Sequence, residues 1–265
     1  MHDAQRLRPR APRTVRVEPV MGTVVSIDVR DREPDAALLG SALDAVVAWL
    51  HEVDARFSTY REDGEVRRIS RGALRLVDAH PDVREVLSLC DEVERLSGGV
   101  FAVWRDGALD PSALVKGWSV ERAALLLQRA GLGDFCIAAG GDVLVRGEAA
   151  PGEAWRVGLR HPDDAQSVTA VAVLRHGGLA TSGLYERGGH IVDPRSGTVP
   201  SELVSLSVAG PSLTYADAYS TAAFAMGVDG LRWLASAAPG YEAYAVTAER
   251  HALWTPGFDR LLAPA

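Results

Sequence analysis

Ala216-Asp217-Ala218-Tyr219-Ser220-Thr221 sets a carboxylate and a hydroxyl four residues apart. The surrounding stretch, Leu213 to Gly227, is small and aromatic and holds no Lys or Arg to pair with the acid. On a helix, positions i and i+4 share a face, so both oxygens project the same way. They are hard donors of the kind Mg²⁺ accepts. The same pair also suits a solvated acid on an amphipathic helix, with Thr221 bonded back to its own turn. At this point both readings stand.

Other stretches carry comparable ambiguity. Asp110-Pro111-Ser112-Ala113-Leu114-Val115-Lys116-Gly117 places a lysine just inside a helix start, where the dipole disfavours a cation unless an anion such as phosphate is bound. An exposed lysine behind an N-cap Asp fits the same residues, and the glycines of a P-loop are missing. In Gly189-His190-Ile191-Val192-Asp193-Pro194-Arg195-Ser196-Gly197, His190 suits a general base, a phosphate donor or a strand-edge residue. Ala180-Thr181-Ser182-Gly183 reads as a Gly-bounded loop presenting hydroxyls. Met21-Gly22-Thr23 and Gly140-Gly141-Asp142 are turns where backbone could approach a ligand, or turns and nothing more.

These residues need elements to position them. Val15 to Arg30 reads as two extended segments around Met21-Gly22-Thr23, the second alternating with period two. Helices are predicted from about Asp35 to Phe57, from Pro81 to Leu96 before Ser97-Gly98-Gly99, and from Trp118 to Ala130 before Gly131. Phe135 to Arg146 reads as a hairpin about Gly140-Gly141, with strands following at 155–160, 168–174 and 203–208. The helix bearing Asp217 comes next, then one near 231–237 and two last strands near 244–247 and 252–254. The irregular interleaving favours α+β over a doubly wound parallel sheet. Residues 1–14, with Arg6, Arg8, Arg10 and Arg13 broken by Pro9 and Pro12, read as a disordered tail, and 15–265 as one domain.

Composition bounds the function. The 265 residues are 47% hydrophobic and 24% charged, ample for a core, and the net charge of −7 argues against nucleic-acid binding. The two cysteines, Cys90 and Cys136, have neither metal nor redox spacing and read as buried thiols. No secretion signal, lipidated cysteine or 18-residue apolar run is evident, so a cytoplasmic protein without membrane insertion is expected.

Taken in order, the motifs resemble the ApbE family of FAD:protein FMN transferases, from Met21-Gly22-Thr23 to about Gly227. They are joined by Phe57-Ser58-Thr59-Tyr60 with Gly64-Glu65-Val66, by Asp110-x-x-Ala113-x-x-Lys116-Gly117, by Ala139-Gly140-Gly141-Asp142 and by Thr181-Ser182-Gly183. His190 to Gly197 and Ala216-Asp217-x-x-x-Thr221 complete the series. Pro111, Ser112, Trp118, Ser196 and Gly64 depart from the common pattern without removing a side chain assigned to chemistry.

The resemblance implies an ApbE-like α+β fold, a mixed, largely antiparallel sheet with packed helices and two lobes around a central FAD cleft. It implies Mg²⁺-dependent transfer of FMN from FAD to a Thr or Ser hydroxyl of an acceptor flavoprotein, with AMP leaving. By matching position, Asp217, Thr221 and the Ala113 carbonyl would hold Mg²⁺. Met21, Tyr60, Val100, Phe101, Ala102, Asp110, Lys116, Ser182 and Val192 would contact FAD, and His190 would be the base. An Mg²⁺-dependent FAD pyrophosphatase and a non-catalytic flavin-binding protein are the alternatives.

Overall fold

The structure, a computed structural model, describes residues 13–105, 107–164, 166–183, 193 and 197–264. Most of the tail and the expected site residues His190 and Val192 therefore lie outside the described residues.

Two short hairpins set the sheet. Strands β1 (Thr14–Val20) and β2 (Thr23–Val29) pair with Val20 opposite Thr23, leaving Met21 and Gly22 as a two-residue loop. Both loop residues have positive φ, 55° and 68°, as a type I′ turn requires. A methionine in that conformation is strained, since its Cβ crowds the following carbonyl. Beyond, β5 (Phe135–Ala139) and β6 (Asp142–Arg146) turn through Gly140 and Gly141. Because β2 pairs with β5, with Val25 opposite Ala139, both turns lie at the same end of the sheet.

The sheet continues through β9 (Gly177–Gly183), β10 (Leu203–Gly210), β11 (Glu242–Thr247) and β12 (Ala252–Trp254). Its order is β1-β2-β5-β6-β9-β10-β11-β12, and every neighbouring pair is antiparallel. The expected α+β class with a largely antiparallel sheet is the one found, and among the described residues the sheet contains no parallel pair. The stretch 180–183, expected as a loop, is the second half of β9, in the interior of the sheet.

Helices cover one face. They are α1 (Ala36–Phe57), the short α2 (Glu65–Ser70), α3 (Pro81–Leu96), α4 (Ser112–Arg129), α5 (Leu213–Ala225) and α6 (Asp229–Ala237). Asp35 caps α1, its Oδ1 accepting from the Ala37 and Leu38 amides at 2.9 Å. Helix α1 is long and apolar enough to cross a membrane, contrary to the sequence expectation. Yet Leu39, Leu43, Val46, Leu50, Val53 and Phe57 form one buried stripe within the core, as in an amphipathic core helix.

On the opposite face, the hairpin of β7 (Trp155–Arg160) and β8 (Val168–Leu174) builds a second apolar cluster. Alternation sorts the strands between the two: Leu144, Val208 and Ala245 belong to the helical side, Val145, Ala209 and Val246 to the other. A two-residue-per-strand hairpin, β3 (Trp104–Arg105) with β4 (Ala108–Leu109), leads into α4.

Candidate active site

Helix α5 is buried on nearly all sides; only Tyr215 and Thr221 of its thirteen residues are not fully buried. Its close seat depends on glycines in its neighbours. A Cβ on Gly117 would stand 2.5 Å from the Leu213 carbonyl oxygen and 2.9 Å from Asp217 Cβ. One on Gly178 would stand 2.6 Å from Leu213 Cβ. The start of α5 is tied to α4 by Glu121. Its Oε2 accepts from Ser212 Oγ at 2.7 Å, Thr214 Oγ1 at 2.6 Å and the Thr214 amide at 3.1 Å. This carboxylate does the capping that the Ser212 side chain does not.

That seat brings Asp217 against α4. The Gly117 amide donates to Asp217 Oδ2 at 2.9 Å, and Lys116 Nζ lies 3.7 Å from Asp217 Oδ1. The basic partner absent from the Asp217 segment thus comes from another helix. Lys116 also lies 3.0 Å from Oδ2 of Asp142, the first residue of β6. Asp142 is fully buried. Its Oδ1 accepts from the Thr181 amide at 3.2 Å, and its Oδ2 pairs with the Lys116 ammonium, while the Asp142 carboxyl also stands within hydrogen-bonding reach of the Asp217 carboxyl.

One ammonium between two buried carboxylates leaves an excess of negative charge. Desolvation pushes the Asp217 carboxyl well above the usual carboxylate range, and the charge on Asp142 pushes the same way. Lys116 and the Gly117 amide pull it back only in part. Like charges in one buried place favour a shared proton or an added cation.

Hydroxyls extend the cluster. Ser182 Oγ is 2.9 Å from Ser220 Oγ and 3.4 Å from Thr221 Oγ1. Thr221 Oγ1 also donates to the Asp217 carbonyl at 3.3 Å, the back-bonded geometry of the simpler reading, while Asp217 itself is buried rather than solvated. Ala113 lies in the first turn of α4, partly buried. The Gly117 amide, four residues beyond Ala113, donates to Asp217 Oδ2.

These residues fit Mg²⁺. The Asp142 and Asp217 carboxylates are buried about Lys116, and the Thr221 hydroxyl and the Ala113 carbonyl add hard oxygens on the two packed helices. Among the described residues no three His, Cys, Asp or Glu cluster, so a cation here would draw on hydroxyl and carbonyl oxygens as well as carboxylates.

The remaining expected residues divide. Met21 Sδ lies 3.6 Å from Ser119 Oγ, which joins its turn to α4 one turn beyond Lys116. Asp110 caps α4 through the Ser112 amide at 3.0 Å. Lys116 sits in the second turn of α4, further in than the sequence suggested, and its charge is engaged by carboxylates. Tyr60 is 92% exposed, whereas Val100 and Phe101 are buried in the core and can offer a ligand only backbone. From the His190 stretch, Asp193 is bridged to Thr198. Two surface depressions, of about 360 Å³ beside Arg56 and Arg68 and about 270 Å³ beside Arg30 and Glu148, do not include this cluster. Asp142 is the functional candidate that sequence reasoning passed over; an acid opening an apolar strand was its signal.

The profile of the ApbE family matches residues 21–106 and 102–245, most of the chain. The chain belongs to the ApbE family. The Vibrio cholerae protein named FAD:protein FMN transferase is 26% identical over 274 residues, with 79% of this chain and 80% of that protein covered. The Salmonella typhimurium protein of the same name is 30% identical over 129 residues, with 45% of this chain and 37% of that protein covered. The match thus spans little over a third of the enterobacterial relative's length. In fold the chain is similar to the crystal structure of the ApbE protein from Thermotoga maritima, with a TM-score of 0.83 at 20% identity over 96% of this chain and all of that one. It is equally similar to the flavin transferase ApbE from Vibrio cholerae, with a TM-score of 0.83 at 21% identity.

Proposed function

We propose that this ApbE-family chain transfers FMN from FAD to a Thr or Ser hydroxyl of an acceptor protein, with Mg²⁺ bound and AMP leaving. The observation that carries the reading is the buried junction of Lys116, Asp142 and Asp217, with its surplus negative charge and adjoining hydroxyls. Family membership and relatives named FAD:protein FMN transferase support it.

In the reaction the acceptor oxygen bonds to the phosphorus of the FMN half as the bridging P–O bond breaks. AMP departs with the bridging oxygen, and the hydroxyl proton passes to a base. Asp217, Thr221 and the Ala113 carbonyl would hold Mg²⁺, with Asp142 Oδ2 beside them. Bound there, Mg²⁺ supplies charge neutralisation for the transferred phosphoryl group and its leaving group. Lys116 adds a fixed positive charge, held by Asp142 so that it needs no reorganisation during transfer. His190 is proposed as the base from its family motif alone.

The test incubates the protein with FAD, Mg²⁺ and an acceptor bearing an exposed Thr, then reads flavin fluorescence on the acceptor in a denaturing gel. Fluorescent acceptor supports transfer. Free FMN and AMP without labelled acceptor mean hydrolysis, and unchanged bound FAD means a carrier. Asp217→Ala is expected to lose metal-dependent turnover by 10²-fold or more, at the scale of about 3 kcal/mol for one electrostatic group. Full turnover in that variant would refute the metal assignment.

A further inference from the structure

The chain has six tryptophans. In five the indole N–H is spoken for: Trp49 donates to Ser119 O, Trp118 to Glu85, Trp155 to Arg146 O, Trp233 to Leu96 O and Trp254 to Asp259. Each of the five also meets another aromatic ring or a guanidinium. Trp104 has neither kind of partner among the described residues, and it is 51% exposed. A large ring with a polar handle and nothing to stack on is uncommon in a folded chain, because burying it is worth so much.

Its surroundings are firm. Trp104 opens β3 and pairs with Leu109 of β4. The Asp110 amide donates to the Val103 carbonyl at 2.8 Å, next door to Trp104, and Asp110 in turn caps α4, which carries Ala113 and Lys116. The Leu109 amide donates to Ser70 Oγ at 3.2 Å, tying the hairpin to α2, which follows the loop of exposed Tyr60. The exposed indole therefore stands on a pinned hairpin that leads into the N-terminus of α4.

We infer that Trp104 is a stacking residue for a planar heteroaromatic ring of the dinucleotide substrate. The inference rests on the FAD reading above. With the phosphates drawn to Lys116 and the cation site, a ring at either end of FAD must find an apolar face outside that polar cluster. Trp104 offers one, and its N–H, without a partner among the described residues, can meet a ring carbonyl or nitrogen.

The test measures dissociation constants of FAD, FMN and AMP by titration calorimetry in Mg²⁺ for the wild type, Trp104→Ala and Trp104→Phe. Base-on-aromatic stacking of ordinary strength predicts a roughly 10-fold weaker FAD affinity in Trp104→Ala. Trp104→Phe should stay within about 3-fold, since it keeps a ring face. The melting temperature of ligand-free Trp104→Ala should match the wild type, which separates lost stacking from lost folding. Weakening shared by FMN assigns the flavin ring, and weakening shared by AMP assigns adenine. Equal affinities for all three ligands in wild type and Trp104→Ala would overturn the inference while leaving the transferase reading intact. A wild type that binds no FAD would sink the reading beneath it.

Discussion

Gly117→Ala is a one-methyl change that should loosen the whole site. The added Cβ would meet the Leu213 carbonyl oxygen at 2.5 Å, Asp217 Cβ at 2.9 Å and the Leu213 carbonyl carbon at 3.0 Å. All three belong to α5, two of them backbone, so relief comes only by moving α5 off α4. The shift needed is about half an ångström or more, given ordinary contact distances. Overpacking of this kind costs roughly 1–3 kcal/mol, and the better helix propensity of Ala returns about 1. The Gly117 amide bond to Asp217 Oδ2, 2.9 Å in the wild type, lengthens and gives up about 1 more. The net loss is therefore about 2 kcal/mol, or about 4–8 °C in melting temperature for a chain of this size.

Turnover should fall further, because displacing Asp217 from Lys116 misplaces the charged centre; such misplacement costs about 10²-fold per ångström. Gly40→Ala is the internal control. Gly40 is an exposed residue of α1 with nothing within 4 Å of a built Cβ, so the same change should stabilise by about 0.5–1 kcal/mol. Thermal unfolding of both variants, with flavin transfer measured alongside, decides the matter. A Gly117→Ala protein as stable and active as the wild type would refute the argument that this glycine sets the helix contact.

Two further outcomes follow from the buried titratable groups. The Asp217 carboxyl is raised, first by desolvation and then by Asp142, so between the unfolded value near 4 and its folded value the native state holds a proton the unfolded chain has lost. Its contribution to stability is thus fully present below about pH 4 and declines as pH rises through that window, by at most about 1.4 kcal/mol per unit. Urea unfolding in EDTA should show this decline in the difference between wild type and Asp217→Asn; a difference that grows with pH would contradict it. The Cys136 thiol is pushed up to about 12, first by burial and then by Asp28, and burial also raises Cys90. Native protein should therefore resist iodoacetamide at pH 8 and react only on unfolding, as peptide mass mapping would show.

What could be read from sequence was local. Asp35, Pro81 and the Ser97-Gly98-Gly99 stop are short-range signals; α1 begins, and α3 begins and ends, where those residues place them. Strand β9 escaped because its sequence, Gly177-Gly178-Leu179-Ala180-Thr181-Ser182-Gly183, has the composition of a loop. Its glycines answer to distant neighbours: a Cβ on Gly177 would stand 2.4 Å from the Gly210 oxygen, and one on Gly178 would enter Leu213. Strand propensity was given up there for close approach, and no window along the chain reveals that exchange. The site follows the same rule. Asp217 and Thr221 were legible as donors one turn apart, yet the lysine that answers the acid lies on a different helix and the second carboxylate on a strand between them. Motif order carried the family, whereas only the packing of α5 onto Gly117 turns an isolated acid into one member of a charged, cation-seeking cluster. It follows that Lys116, Asp142 and Asp217 should behave as one unit under mutation, with effects that fail to add.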